Sequence, residues 1–177
     1  MSQTVQTLRL NADRDIASLV AQMNNDLNTI AQINDQVALG VATGKSTGDL
    51  EDTRDVALNN LSNILDVRYF ENANGTVTVY TGDGTTLVDS TPIKMAHASL
   101  SQVSPSASYA NGDFNGIYAG VRDITKSIQG GKMKALIDTR RSRSTGVEEM
   151  EKGCNSWRSE EHTSELQSLR HLVCRLL

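Results

Sequence analysis

The sequence is poor in aromatic residues and holds its few cysteines in one place. Aromatic residues make up 4% of the 177 residues while 38% are hydrophobic, so the core must be built mainly from Ile, Leu, Val and Ala. Deep aromatic-lined ligand pockets are not expected, which makes an enzyme less favoured than a structural or binding protein. Both cysteines, Cys154 and Cys174, lie near the carboxyl end, so everything before Cys154 lacks a thiol.

The chain also lacks basic blocks and long apolar runs. Its formal net charge is −4, which leaves no electrostatic footprint for nucleic acid. No apolar run approaches the roughly 20 residues that span a bilayer, so no membrane contact is expected. The opening "MSQTVQTLRLNADRD" has neither the basic nor the apolar region of a secretory signal. If the protein is exported, we expect export without a cleaved secretory signal.

Residues 1–66 predict an antiparallel helical (coiled-coil) hairpin. Apolar residues recur at alternating steps of four and three between Ile16 and Val41, which is a heptad pattern typical of a long helix with a partner. Asn34 interrupts this pattern, where a polar residue can fix register. A glycine-rich break at 40–49 precedes a second helix from about Leu50 to Leu65. The predicted helix-packing seam comprises Ile16, Val20, Met23, Leu27, Ile30, Val37, Leu50, Ala57, Leu61, Ile64, Leu65 and, in a later helix, Leu136.

Residues 67–128 predict a β-rich antiparallel domain. The pattern alternates through "VRYFENANGTVTVYTGDGTTLV", and its Asn-Gly and Asp-Gly pairs favour hairpin turns because they accept positive φ. We expect three strands there, and further strands around 93–103 and 114–123. The segment "GGKMKALIDTR" then predicts the start of a returning helix over 129–140. The predicted fold class is α+β.

Two acidic motifs resemble metal sites but are better explained without a metal. In "NGDFNGIYAGVR", Asn111 to Arg122, the spacing of oxygen ligands resembles a calcium loop, but Arg122 occupies the position of the bidentate glutamate and favours a strand-linking turn. Asp49, Asp52 and Asp55 have helical spacing, which is typical of solvated carboxylates that complement a helix dipole. We expect no metal and no cofactor.

Three other motifs carry no expected chemistry. Asn74 begins a formal glycosylation sequon, yet the same residues suit a hairpin turn. Gly130 and Gly131 before Lys132 lack the remaining residues of a phosphate loop. His97 has no nearby Cys or Ser, so no nucleophile pair suggests itself. No catalytic residue is predicted.

The carboxyl-terminal segment differs from the rest of the chain. Acidic residues are almost all aspartate through Arg140 and all glutamate afterwards. "RSEEHTSELQS", Arg158 to Ser168, and the final "LVCRLL" resemble the translation of a common short-read sequencing adapter, with "LRH" where a barcode would be read. An amphipathic terminal helix and a metal cluster at Glu160, Glu161 and His162 are the alternatives. Residues 158–177 are therefore interpreted as an artefact, and 141–157 as a doubtful segment outside the family pattern described next.

Three motifs in chain order resemble the flagellar hook-associated protein 1 family, the hook-filament junction protein. The first is "LEDTRDVALNNLS", the second "GTVTVYTGDGTTLV", and the third "GGKMKALIDTR". The helix from Ala12 to Asn24 is similar to one that precedes them in the family. The resemblance covers about residues 1–140. The family's terminal axial helices are absent here, so we expect this chain to be a middle piece of a longer reading frame that is only marginally stable alone.

The resemblance implies a structural adaptor that joins hook to filament outside the cell, in the bacterial flagellum. Implied partners are further copies of the chain in an axial assembly, the hook protein and neighbouring hook-associated proteins. The lack of cysteine before Cys154 suits subunits exported unfolded. The alternative from another class is an autonomous extracellular binding module, in which a coiled-coil hairpin presents a β domain to a ligand. An enzyme is a distant third.

Overall fold

A computed structural model of the protein describes residues 3–141, and its longest element is the first helix. Helix α1 runs over Gln3–Thr43. It ends in a Schellman motif: Gly44 adopts a φ of 67°, its N–H donates to Val41 O (3.2 Å), and Lys45 N–H donates to Gly40 O (2.9 Å). Val41, the last position of the predicted heptad pattern, is 48% exposed. The apolar pattern therefore extends beyond the buried part of α1, because the helix ends only two residues after Val41.

Helix α2, Gly48–Ile64, returns along α1. Thr47 precedes it, with its hydroxyl donating to Glu51 Oε1 (2.6 Å), and acidic residues in the first turn complement the helix dipole. Gly40 lies close to Thr47 beside the loop that connects the two helices, and Asn34 contacts Arg54 further from that loop. Because residue numbers fall on α1 while they rise on α2, the two helices are antiparallel. The predicted helical hairpin is present.

Two small antiparallel sheets follow. The first contains β1 (Val67–Glu71), β2 (Val77–Thr81) and β3 (Thr86–Val88) in the order β1-β2-β3. Its turns contain Gly75 and Gly84, both with positive φ. The second contains β4 (Met95–Ala96), β5 (Tyr118–Ala119) and β6 (Arg122–Asp123). The three strands predicted before residue 90 are all present.

The strands predicted around 93–103 and 114–123 are much shorter than expected. Only two-residue strands form there. In the 93–103 region, side chains of α1 take backbone groups that a longer ladder would have paired. Asn24 binds both backbone groups of Met95, and Asp13 accepts from the N–H of Leu100. The remaining backbone is loop, consistent with the Ser, Asn and Gly content of this region.

Helix α3, Gly131–Arg141, packs against α1 and α2 and completes the α+β fold. Met133 and Ile137 are fully buried on its inner face, and Leu136 is partly buried beside them. Most of the buried apolar residues form one connected core that extends from α1 through both sheets to α3. No helix within residues 3–141 has the length and apolar character needed to cross a bilayer.

Candidate functional site

The predicted helix-packing seam lies inside the chain. Ten of its twelve side chains are buried: Ile16, Val20, Met23, Leu27, Ile30, Val37, Ala57, Leu61, Ile64 and Leu65. Leu50 and Leu136 are half-buried. Within the described residues the seam therefore packs α1 against α2, α3 and the sheets. Buried polar side chains within this apolar interior connect the helices to the sheets.

Asn34 connects the helical hairpin to the first sheet. Its Nδ2–H donates to Val77 O (2.7 Å), and Val77 N–H donates to Asn34 Oδ1 (2.9 Å). Strand β3 ends at Val88, opposite Val79, so Val77 lies beyond the end of β3 on that side of β2. The amide of Asn34 replaces the missing neighbouring strand. The polar residue expected to fix register at this heptad position therefore binds a strand and also, through Arg54, the partner helix.

Arg54 of α2 completes this junction, which we call the Asn34 clamp (Asn34, Arg54, Gly75 and Val77). One Nη1 of Arg54 donates to Gly75 O (2.6 Å) and to Asn34 Oδ1 (3.4 Å). Both Asn34 and Arg54 are buried. Gly75 has a φ of 79°, and an added Cβ would lie 2.9 Å from a methyl group of Val37. The turn between β1 and β2 is thereby held tightly between the two helices.

Asn24 makes an equivalent connection to the second sheet. Its Nδ2–H donates to Met95 O (2.9 Å) and its Oδ1 accepts from Met95 N–H (2.8 Å). Asn24 and Asn34 lie ten residues apart, which is about 15 Å along the helix axis. One helix thus holds both sheets by the same bidentate amide contact. We call the pair Asn24 and Met95 the Asn24 clamp.

Asp13 is the centre of a buried charged group that joins α1, α3 and the loops around β4 and β5. Arg140 Nη1–H donates to Asp13 Oδ1 (2.8 Å), and Leu100 N–H donates to Oδ2 (2.7 Å). His97 Nε2 lies 3.2 Å from Oδ1, and its Nδ1 lies 3.0 Å from Gly116 O. Both ring nitrogens thus lie within hydrogen-bond distance of an oxygen atom.

Arg9 and Phe114 surround this group. Arg9 Nε–H donates to Arg140 O (2.9 Å), and the guanidinium groups of Arg9 and Arg140 each lie 5.1 Å from the centroid of the Phe114 ring. Such cation–π contacts gain strength when water is excluded, and both arginines are almost fully buried. We call Arg9, Asp13, His97, Phe114 and Arg140 the Asp13 cluster. It fixes the start of α1 to the end of α3.

Electrostatics favour a charged carboxylate at Asp13. Burial acts to raise its pKa, but hydrogen bonds from His97, Arg140 and the Leu100 N–H outweigh burial and hold the pKa below the usual 3.8. A buried carboxylate with this many donors is a structural link, because each of its oxygens already accepts from protein groups.

The acidic motifs considered as metal sites have other surroundings. Asp113 accepts from the Ser108 N–H (2.9 Å), and Asn115 donates to Ala98 O (2.7 Å), so these two side chains organise a loop. The aspartates at the start of α2 are exposed. Among residues 3–141, no group of three His, Cys, Asp or Glu side chains is placed to hold a metal ion. The predicted EEH alternative falls outside the described residues.

The sequon and the glycine pair serve turns and close packing. Asn74 Oδ1 accepts from both the N–H (3.2 Å) and the hydroxyl (2.7 Å) of Thr76, as in an Asx turn. Gly131 adopts a φ of 74°, and a Cβ there would lie 2.4 Å from Ile64 O. Only glycine allows α3 to start so close to the end of α2.

The contacts within the two clamps and the Asp13 cluster were not predicted from the sequence. Most of the residues involved nevertheless occupy positions that indicate burial. Arg9 and Asp13 continue the four-and-three spacing upstream of Ile16, Arg140 continues it after Ile137, and Arg54 lies between Leu50 and Ala57. A charged side chain at an apolar position must find a buried partner. Asn24 gives no comparable signal, because it lies beside the heptad positions.

Comparison with known proteins gives a consistent result. The chain matches the family model described as the flagellar hook-associated protein FlgK helical domain over residues 1–156. Two curated relatives, each named Flagellar hook-associated protein 1, come from Salmonella typhimurium strain LT2 and Salmonella typhi. Each is 36% identical over 92 residues, which covers 51% of this chain and 17% of the relative.

The family match includes most of the segment 141–157 and ends two residues before Arg158, where the adapter-like segment begins. The chain spans less than a fifth of the length of these relatives. The family model matches residues 1–156, which is far more than half of this chain. The chain therefore belongs to the flagellar hook-associated protein FlgK helical domain family.

Proposed function

We propose that this chain is part of a structural component of the bacterial flagellum, which lies at the hook-filament junction outside the cell and joins the hook to the filament. The observation that carries the proposal is the family match over residues 1–156. The printed name of both Salmonella relatives supports it. The role requires positioning and mechanical strength, and no catalytic group or cofactor.

The internal geometry suits a part that must not bend. Three separate polar junctions tie distant segments together: the Asn34 clamp, the Asn24 clamp and the Asp13 cluster. Each is buried or partly buried, and each joins α1 to a sequence-distant segment. A hinge motion between the hairpin and either sheet would break two hydrogen bonds and expose unpaired backbone groups, which is costly.

The proposed partners are further copies of the chain in an axial assembly, the hook protein and neighbouring hook-associated proteins. Helices that bury one face inside a subunit and expose another suit such packing. Nucleic acid and membrane are not proposed as partners.

The test uses the full-length protein in the bacterium that carries the gene. Immunogold labelling of isolated flagella should place gold at one position between hook and filament, and deletion of the gene should leave hooks without attached filaments. Restoring the gene with Asn34→Ala should attach fewer filaments than restoring it with Asn28→Ala, an exposed residue of the same helix.

Two results would contradict the proposal. Filaments that remain attached after deletion would remove the junction role. Gold spread over the cell surface and absent from isolated flagella would instead favour the binding-module alternative.

A further inference from the structure

Three asparagines of the chain are followed by glycine, at 74–75, 111–112 and 115–116. Glycine has no side chain to shield its backbone nitrogen, and its backbone adopts more conformations than that of any other residue. This nitrogen attacks the side-chain amide carbon of the preceding asparagine wherever the local structure lets the two atoms meet. The three pairs have the same chemistry, so their surroundings in the fold decide which of them reacts.

The first pair is held on both sides. Asn74 Oδ1 accepts from the N–H (3.2 Å) and the hydroxyl (2.7 Å) of Thr76. Gly75 O accepts from Arg54 Nη1 (2.6 Å), and the Gly75 N–H donates to Asn72 O (2.9 Å). The amide carbon of Asn74 therefore reaches the nitrogen of Gly75 only after several of these hydrogen bonds break, which is costly at a partly buried position.

The pair at 115–116 is held in the same way by different partners. Asn115 Nδ2–H donates to Ala98 O (2.7 Å), and Asn115 O accepts from Arg140 Nη1 (3.2 Å). Gly116 is buried, and its carbonyl oxygen lies 3.0 Å from His97 Nδ1. A rotation of this backbone would disturb the Asp13 cluster.

The pair at 111–112 has no comparable restraint. Asn111 is exposed, and its side chain has no hydrogen-bond partner among residues 3–141. Its backbone N–H donates to Ser108 Oγ (3.2 Å), and the Gly112 N–H donates to Tyr109 O (3.1 Å). Gly112 is also exposed, and nothing lies within 4 Å of a Cβ added to it. Exposed loop segments with few contacts open at the lowest free-energy cost in a protein.

We propose that Asn111 is a site of spontaneous deamidation and that it reacts ahead of Asn74 and Asn115 in the folded protein. The nitrogen of Gly112 forms a bond to Asn111 Cγ and gives up its proton, while the side-chain nitrogen leaves as ammonia. Water then opens the resulting cyclic imide at one of its two carbonyl carbons. The products are aspartate and isoaspartate, and the balance is a hydrolysis that needs no oxidant, reductant or cofactor.

The reaction changes the charge and the backbone of this loop. A new carboxylate appears two residues before Asp113, and isoaspartate adds one carbon atom to the main chain. Ala110, Asn111 and Gly112 are all exposed, so the apolar core is not disturbed. This inference depends only on the folded chain and is independent of the proposed function.

The test is an ageing experiment on the full chain in warm, mildly alkaline buffer. Peptide mass spectrometry follows the exchange of NH for O at each asparagine, and fragment ions separate Asn111 from Asn115. Labelling by an isoaspartate-specific methyltransferase identifies isoaspartate. Asn111 should react at least tenfold faster than Asn74 and Asn115. In concentrated urea, where the contacts of the fold are lost, the three rates should become similar.

Two glycine variants provide a matched comparison. Gly112→Ala places a methyl group beside the attacking nitrogen and should slow the reaction of Asn111 several-fold. Gly84→Ala is the control, because Gly84 has a similar φ (83° against 78°) and equally open surroundings but follows an aspartate. It should leave the rate at Asn111 unchanged. Circular dichroism checks that both variants are folded.

Four results would overturn the proposal. The first is an absence of modification at Asn111 in the aged protein. The second is a rate at Asn74 or Asn115 that equals or exceeds the rate at Asn111. The third is the same order and spacing of rates in urea, which would show that the neighbouring sequence selects the site and the fold does not. The fourth is an equal rate at Asn111 in Gly112→Ala and Gly84→Ala.

Discussion

Asn34 of α1 exchanges two hydrogen bonds with the backbone of Val77 and so replaces a strand at the side of β2. The same amide accepts from Arg54, so one buried side chain joins two helices and a sheet. This arrangement explains why a helical hairpin that ends at Ile64 can hold a sheet that begins three residues later at Val67.

We expect Asn34→Ala to lower the free energy of unfolding by about 2–3 kcal/mol, because it leaves both backbone groups of Val77 without their partner and removes one of the two acceptors of Arg54 Nη1. Urea denaturation of the full chain measures the change. Asn28→Ala, on the exposed side of α1, is the matched control and should change stability by less than about 0.5 kcal/mol. Equal losses in the two variants would show that the Asn34 clamp is not a stabilising contact.

Acid should weaken the Asp13 cluster. Hydrogen bonds from His97, Arg140 and Leu100 hold the pKa of Asp13 below 3.8 despite its burial, so the folded protein binds fewer protons here than the unfolded chain. The stabilising contribution is complete above pH 3.8 and is lost as pH falls through the lowered pKa. Urea midpoints measured from about pH 5 to pH 3 should therefore decline.

The control for this decline is Asp13→Asn, which should be less stable at neutral pH and show a shallower acid dependence. Asp83 and Asp123 also have lowered pKa values and account for the dependence that remains. If the urea midpoint of Asp13→Asn declined with pH as steeply as that of the native protein, the hydrogen bonds to the Asp13 carboxylate would not stabilise the fold.

Asp26 behaves in the opposite sense. Burial raises its pKa, a hydrogen bond from Asn60 opposes the rise only partly, and Oδ2 is buried without a partner. Its charge therefore destabilises the fold at neutral pH. Asp26→Asn should stabilise the protein by ~0.5 kcal/mol at pH 7, and the gain should shrink on acidification as the native carboxyl binds its proton. Asp35→Asn, exposed on the same helix, should show no gain. A loss of stability in Asp26→Asn would contradict this account.

Gly131 and Gly84 both have positive φ, but their surroundings differ. A Cβ at Gly131 would lie 2.4 Å from Ile64 O, whereas nothing lies within 4 Å of one at Gly84. Gly84→Ala should cost about 1–2 kcal/mol of stability from backbone strain alone. Gly131→Ala should cost more than ~3 kcal/mol, since the start of α3 must also move away from α2. Similar urea midpoints for the two variants would show that Gly131 does not lie this close to Ile64 in solution.

Local patterns predicted the elements of this fold, and long-range partners explain what they missed. The period of α1 and the Asn-Gly and Asp-Gly turns of the first sheet depend on neighbouring residues, so they could be read from the chain. The short strands of the second sheet could not, because they depend on distant partners: side chains of α1 bind the backbone of Met95 and Leu100. The strand partner of Asn34 was missed for the same reason: a polar residue at a heptad position shows that a buried partner exists, but not which one.

Sequencing of genomic DNA tests whether the carboxyl-terminal segment is encoded by the gene. We expect genomic DNA, amplified with primers inside the codons of residues 50–130 and read outward, to lack the codons for "RSEEHTSELQS" and to continue the reading frame beyond "LIDTR". The family match ends two residues before Arg158, as an artefact that begins at Arg158 requires. A second library prepared with a different adapter serves as the control. If the same codons occur in the genome, the segment is native, and Cys154 and Cys174 become part of the protein whose pairing must then be measured.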